Sequence, residues 1–258
     1  MTEIAIAENN KRFNFPWVPL VIFRPKRAFQ LITTSTISTW LSPLVIISIL
    51  VVINVLVAGR LKYQAAMMGQ ITYPPNYQYY TPEQQAQYTQ TIQSTQGPVF
   101  VYVLPALAAL IGVWFGWLIL GGVLHLVTTL LGGRGSTAIS MNIVAWGSLP
   151  MAVHAAVQIS FMLITKNLIS SAGLSGFSPT GDSGLAVFVG QLLRLIDLYV
   201  VWQIILIILG VRLSTALSSV KSSVVVILTV VIILLLQAGF SYLLTLLGNL
   251  TITRPFFF

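Results

Sequence analysis

The chain has 258 residues, 56% of them hydrophobic and only 7% charged, against roughly 25% charged in ordinary soluble domains. Too few polar side chains exist to coat a water-soluble globule, so a bilayer must replace the missing polar surface. The formal charge of +8 comes from thirteen Lys and Arg against five acids, an excess that beside membrane spans sets orientation or meets anionic headgroups and gives no reason to expect nucleic acid.

Residues 1–22 read as a short cytoplasmic N-terminal segment. They carry Glu3, Glu8, Lys11 and Arg12 and lack an apolar core followed by a small-residue cleavage site, so the first span is expected to act as an uncleaved signal anchor. Phe23-Arg-Pro-Lys-Arg-Ala-Phe-Gln-Leu-Ile32 comes next. Pro25 opens a predicted helix that gathers Ala28, Phe29, Leu31 and Ile32 near one face and leaves Arg24, Lys26 and Arg27 as membrane-surface cations. Such a helix suits the headgroup plane, either as a simple anchor or as a lipid-sensing or partner-binding element.

A spanning helix needs roughly 20 mostly apolar residues, and five stretches supply them: 40–58, 99–131, 140–165, 185–209 and 224–247. The fold class that follows is an all-α membrane protein, a five-transmembrane-helix bundle with an N-terminal interfacial amphipathic helix. A single membrane domain covers 23–247, and 248–258 is a short outer tail.

Between the first two spans, the outer loop 59–98 holds six of the nine tyrosines and nine glutamines. In it Thr81-Pro82-Glu83-Gln84 combines an N-cap, a first-turn Pro and a capping-box Gln, predicting a short helix to about Thr95. The Tyr-Pro-Pro-Asn-Tyr-Gln-Tyr-Tyr run before it predicts an irregular loop. The second stretch, 99–131, exceeds one crossing; Pro105 and Gly121-Gly122 predict a kinked single span, with a re-entrant segment as the alternative. Leu131-Gly-Gly-Arg-Gly-Ser-Thr137 predicts a tight turn, because it lacks the spacing and lysine of a phosphate-binding loop. In the third span Pro150, after Gly147-Ser148-Leu149, predicts a kink that frees backbone carbonyls for neighbouring groups to satisfy.

Charge orients the bundle. With the N-terminus inside, the inner segments hold Lys11, Arg12, Arg24, Lys26, Arg27, Arg134, Arg212 and Lys221, and the outer ones only Arg60, Lys62, Lys166 and Arg254. The positive-inside bias therefore predicts a cytoplasmic N-terminus and an outer C-terminus.

Ionisable groups inside a bilayer are costly, which makes them the first candidates for function. Counting ~1.5 Å of rise per residue from the cytoplasmic ends puts Asn54, His154, Arg194, Asp197 and Gln237 in one layer at ~18 to 23 Å, with Gln158 and Gln191 slightly further out and His125 lower. Arg194 and Asp197, three apart in one predicted helix, are expected to pair within it. The layer reads either as hydrogen-bonding glue between helices or as a proton or ion relay through His154 and Asp197, with His125 as a further member. A metal site is not expected, since no ligand motif fixes the geometry of two His and one Asp. No nucleophile elbow is present either, and the residues call for no cofactor and no enzymatic activity.

Small residues recur every four positions as Ala108, Gly112 and Gly116 in the second span and as Ala152, Ala156 and Ser160 in the third. They make grooves for close helix packing, within the bundle or against a second copy.

Three motifs carry a family resemblance: Arg24-Pro25-Lys26-Arg27-Ala28-Phe29 followed by Trp40-Leu-Ser-Pro43, Leu131-Gly-Gly-Arg-Gly135 leading to Ala145-Trp-Gly-Ser-Leu-Pro150, and Ile196-Asp197-Leu-Tyr-Val-Val-Trp202. In order and spacing they resemble the prokaryotic branch of the Yip-type family, relatives of the eukaryotic Ypt/Rab-interacting membrane proteins. The resemblance implies five spans, a cytoplasmic N-terminus and residence in a prokaryotic cytoplasmic membrane. It implies no settled reaction, cofactor or substrate, and the residues here give no support for a GTPase partner. Two functional readings stand: a non-enzymatic organiser of membrane or protein partners, with a membrane protein or a second copy as candidate partner, and a small transporter, channel or lipid-translocating protein built on the layer around Asp197.

Overall fold

The computed structural model describes residues 13–35, 37–67, 77–95, 97–169, 173–179 and 184–250. Residues 73–76 of the aromatic run, and the tail from 251 onward, lie outside them. The described residues form ten α-helices and no strand: α1 (Trp17–Phe23), α2 (Pro25–Thr34), α3 (Leu41–Met67), α4 (Pro82–Thr95), α5 (Leu104–Leu130), α6 (Thr137–Gly147), α7 (Leu149–Thr165), α8 (Gly184–Arg194), α9 (Leu198–Ser214) and α10 (Ser219–Leu250). Backbone polar groups have no water to bond to inside a bilayer, so helices that satisfy their own carbonyls are the economical solution for a chain this apolar.

Four helical stretches are long and apolar enough to cross a membrane: Leu41–Ala65, Val99–Leu130, Thr137–Thr165 and Ser219–Leu243. A fifth crossing exists if α8 and α9, bent by 64° at their junction, cross as one broken span. The protein is thus a multi-pass, all-α membrane bundle, and its outward surface is apolar, with Ile111, Phe115, Leu236 and Leu243 all more than half exposed.

Local signals explain the helix ends. Val99–Val103 is a wide π turn that runs into α5, with Pro105 in the first turn where its missing N–H costs nothing. α5 then continues unbroken through Gly121-Gly122. At its end Gly132, with φ of 81°, lets the chain reverse, and the N–H groups of Gly132 and Gly133 donate to the carbonyls of Thr129 and Thr128. Ser136 opens α6 by accepting from the Ile139 N–H. In the outer segment the capping box is reciprocal: the Thr81 N–H donates to Gln84 Oε1 at 2.9 Å, and the Gln84 N–H to Thr81 Oγ1 at 3.3 Å.

The third span breaks at Ser148, just before Pro150. There Ser148 Oγ donates to the Val144 carbonyl and accepts from Gln203 Nε2 on α9 at 2.9 Å, so the interruption is fastened across helices.

The largest cluster of buried side chains gathers at the basic end of the bundle, toward Arg134, Arg212 and Lys221. Here α2 has the expected polarity, with Arg24, Lys26, Arg27 and Gln30 exposed and Ala28, Phe29 and Ile32 buried. Its apolar face is covered by protein, against α6 and α9, where Gly210 has no side chain to obstruct Phe29 and Ile143. Trp146 is fully buried and lies 5.8 Å from the Trp17 ring. Its Nε1–H donates to Thr39 Oγ1, while Asn142 Oδ1 accepts from the N–H groups of Thr39 and Trp40 at 2.9 and 3.1 Å. Asn142 thereby serves two backbone donors ahead of α3 that the bilayer would otherwise leave unpaired.

Candidate functional site: a polar chain across three helices

Asp197 interrupts the apolar sequence at the bend between α8 and α9. Its backbone is extended, and its Oδ1 accepts from the Val200 N–H at 2.8 Å, making it the N-cap of α9. α8 has already ended at Arg194. This corrects the expectation of an intrahelical Arg194–Asp197 pair: the two residues are not on one helix, Arg194 is exposed, and among the described residues the Asp197 carboxylate faces the His154 imidazole instead. A carboxylate at a helix N-terminus is stabilised by the unpaired N–H groups and the positive end of the helix dipole.

The break is closed from the far side by a glycine. Gly173 has φ of 55°, and any Cβ on it would fall within 2.6 to 2.8 Å of the carbonyl oxygens of Arg194, Ile196 and Leu193. The next residue, Leu174, donates its N–H to the carbonyls of Leu193 and Ile196 at 2.9 and 3.0 Å. Carbonyls released by the end of α8 thus find a donor in the loop, so backbone polarity is satisfied where the helix stops.

From Asp197 a line of polar side chains runs sideways through the bundle. His154 Nδ1 on α7 faces Asp197 Oδ2 at 3.4 Å, His154 Nε2 meets Gln158 Nε2 at 2.9 Å, and Asn54 Nδ2 on α3 donates to Gln158 Oε1 at 3.0 Å. These contacts fit one assignment of hydrogens. A proton on Nδ1 faces the carboxylate, Nε2 accepts from the Gln158 amide, and the Gln158 carbonyl accepts from Asn54. The imidazole is also stacked on Tyr199, with ring centroids 4.6 Å apart and planes 9° from parallel. A doubly protonated imidazole has no acceptor left, so protonating His154 requires the Gln158 amide to turn over, and Asn54 with it.

The polar layer read from the sequence is therefore divided. Asn54, His154 and Asp197 are joined, with Gln158 as the link between the first two. Arg194 and Gln237 are exposed and make no side-chain hydrogen bond or ion pair among the described residues. His125 is half-buried on α5, away from the chain. No group of three or more potential metal ligands occurs among the described residues. Sequence reading missed Tyr199, Gln203 and Asn142 as partners, and it missed Asp197 as a cap. The available signal for the last was an Asp immediately ahead of the apolar run Leu198-Tyr-Val-Val-Trp202.

The small-residue stripes also part company. Ala152 is buried and Ala156 half-buried on α7. On α5, Ala108 and Gly112 are exposed, and a Cβ placed on Gly112 or Gly116 would touch nothing within 4 Å.

Residues of the three sequence motifs make these contacts. The Trp40 ring lies 4.7 Å from Trp117 with the planes tilted by 37°, its N–H is held by Asn142 one turn before Trp146, and Asp197 and Tyr199 clamp His154. No curated protein and no solved structure is significantly similar to the chain. The family model described as "Yip1 domain" matches residues 20–241. That match runs from within α1 through most of α10, including every residue of the polar chain, and the protein accordingly belongs to the Yip1 domain family of integral membrane proteins.

Proposed function

We propose that this protein is a non-enzymatic membrane organiser, which holds membrane or protein partners through the lipid-facing side of its bundle, with its N-terminus in the cytoplasm. The observation that carries this reading is the contrast between its two sets of polar and small residues. Four polar groups of the spans are occupied with one another, Asn54 to Gln158 to His154 to Asp197, and the Ser148–Gln203 bond ties the start of α7 to α9 as well. That is the pattern of interhelical glue. The most apolar stretch of the second span, in contrast, buries none of its residues within the protein, and Ala108, Gly112 and Gly116 leave it open to close approach by another helix. Because the chain has no cysteine, a lone Gly112→Cys substitution reports on that face directly. Crosslinking in native membranes should trap a second copy or a protein partner through Gly112→Cys and not through Leu236→Cys on α10. Equal yields from the two positions would remove the support.

One observation favours a second reading, a transporter or channel. The broken span places a carboxylate at a helix terminus beside an imidazole, and the two side chains keep 20% and 29% of their surface accessible, an arrangement suited to proton exchange. Proteoliposomes separate the readings. An organiser shows no proton flux either as the native protein or as Asp197→Asn, whereas flux abolished by Asp197→Asn would establish transport.

A further inference from the structure

At the end of the bundle opposite Arg134, Arg212 and Lys221, a cleft of about 320 Å³ opens between α3 and α7. Its walls are apolar: Ile53, Leu56, Val57 and Leu61 from α3, Met162 and Leu163 from α7. Leu61 and Met162 are buried at its back, while Ile53, Leu56 and Leu163 stand 39%, 48% and 50% exposed along its mouth. The lip is different in kind. Arg60 and Gln64 project there from α3, and Lys166 from the residue that ends α7.

Lys166 has φ of 58°, the left-handed conformation that an L residue other than Gly seldom adopts, and its N–H donates to the Met162 carbonyl at 3.0 Å. This sharp ending stops α7 where its cation reaches the cleft. No acid lines the cleft, and among the described residues neither Arg60 nor Lys166 has an ionic partner. The Asn54–Gln158 hydrogen bond lies one helical turn toward the basic end from Val57 and Met162. Arg60 stands six positions beyond Asn54, ~9 Å of helix, and Lys166 eight positions beyond Gln158, ~12 Å.

We infer that this cleft is a binding site for an anionic phospholipid. Its phosphate lies between Arg60 and Lys166 with the Gln64 amide as a further donor, and the upper part of one acyl chain fills the groove down to the Asn54–Gln158 bond. The division of labour is what singles out a lipid. Two uncompensated cations at the membrane boundary select negative charge, and an apolar groove running ~10 Å inward from them, along the helices, has the direction and depth of a chain attached to that charge. A soluble anion would have no use for the groove, and an uncharged hydrocarbon no use for the lip.

The test uses the full-length protein in phosphatidylcholine nanodiscs containing a minor fraction of phosphatidylglycerol that carries a photoactivatable acyl chain. Native protein should be labelled within 53–64 and 157–166, and unlabelled phosphatidylglycerol should compete far better than unlabelled phosphatidylcholine. Inorganic phosphate should not compete. Removing one cation, by Arg60→Gln or by Lys166→Asn, which tolerates the left-handed backbone, should weaken the preference for the anionic lipid about fivefold, and removing both about thirtyfold. Val57→Trp, which fills the groove, should abolish labelling of these segments, and Lys62→Gln, on α3 but not in the cleft, should leave it unchanged. Equal competition by the two lipids in the native protein, displacement by phosphate, or an undiminished preference in the double variant would each overturn the assignment. The first two measurements need no variant and so decide the matter even if a variant does not fold.

Discussion

The two halves of the bundle are built differently. Toward the basic end, α2 tucks against α6 and α9 while Trp17 of α1 lies against Trp146; Trp146, Phe29, Ile143 and Ile207 are essentially inaccessible, and buried polar atoms such as those of Asn142 and Thr39 are paired within the protein. Toward the far end fewer side chains are buried, the chain bends by 64° between α8 and α9 beside Asp197, the polar chain around His154 stays partly accessible, and a cleft opens between α3 and α7. In a bilayer, lipid tails are as apolar as leucine, so burial of apolar surface alone does not hold helices together, and close packing and hydrogen bonds must do so. The basic half uses both. The far half uses hydrogen bonds across gaps that packing leaves, which is where ligands and motion find room.

Substitutions can break this contrast or sharpen it. The largest effect is expected from Trp146→Ala, which empties a fully enclosed site and orphans Thr39: a loss of about 3 to 5 kcal/mol, read as unfolding free energy in mixed micelles. Asn142→Leu keeps the branched shape but strips the Thr39 and Trp40 N–H groups of their acceptor, and should cost about 2 to 4 kcal/mol by the same measurement. A loss below 1 kcal/mol at either position would mean that the basic half is no tighter than the far half. Asp197→Ala removes a cap and a partner of His154 together, so about 1 to 2 kcal/mol is expected. A double-mutant cycle with His154→Phe, which preserves the stacking on Tyr199, should assign less than half of it to the His–Asp pair. The smallest effect belongs to Gly112→Ala: with open space at the Cβ position, it should leave the isolated protein unchanged or stabilise it by up to about 1 kcal/mol through helix propensity. If the partner-docking face is real, the same substitution should lower the crosslinking yield of that face.

Much of the architecture was legible because it rests on short-range rules. A 7% charged composition forces the bilayer, apolar length marks the spans, and Thr81 with Gln84 marks a helix start that the structure reproduces bond for bond. The candidate site was legible only in part. Counting rise per residue brought Asn54, His154 and Asp197 to one level, yet the same count included Arg194 and Gln237, because depth along a helix says nothing about which way a side chain faces. Treating 185–209 as one continuous helix also put Arg194 and Asp197 on a common face, and the cap that ends that helix sends them apart.

What the sequence determined by itself is that this chain lives in a membrane, that several of its segments are apolar enough to cross it, and where polar groups are scarce enough to matter. Those properties follow from composition and from periodicity within a single helix. Only the tertiary structure decided that Asn142 serves Thr39 across 103 residues of chain, that Gln158 and not Arg194 completes the polar line, that the stripe on α5 is left open, and that Arg60 and Lys166 stand at one cleft. Each of these is a relation between helices distant in sequence, fixed by how their faces rotate and pack against one another.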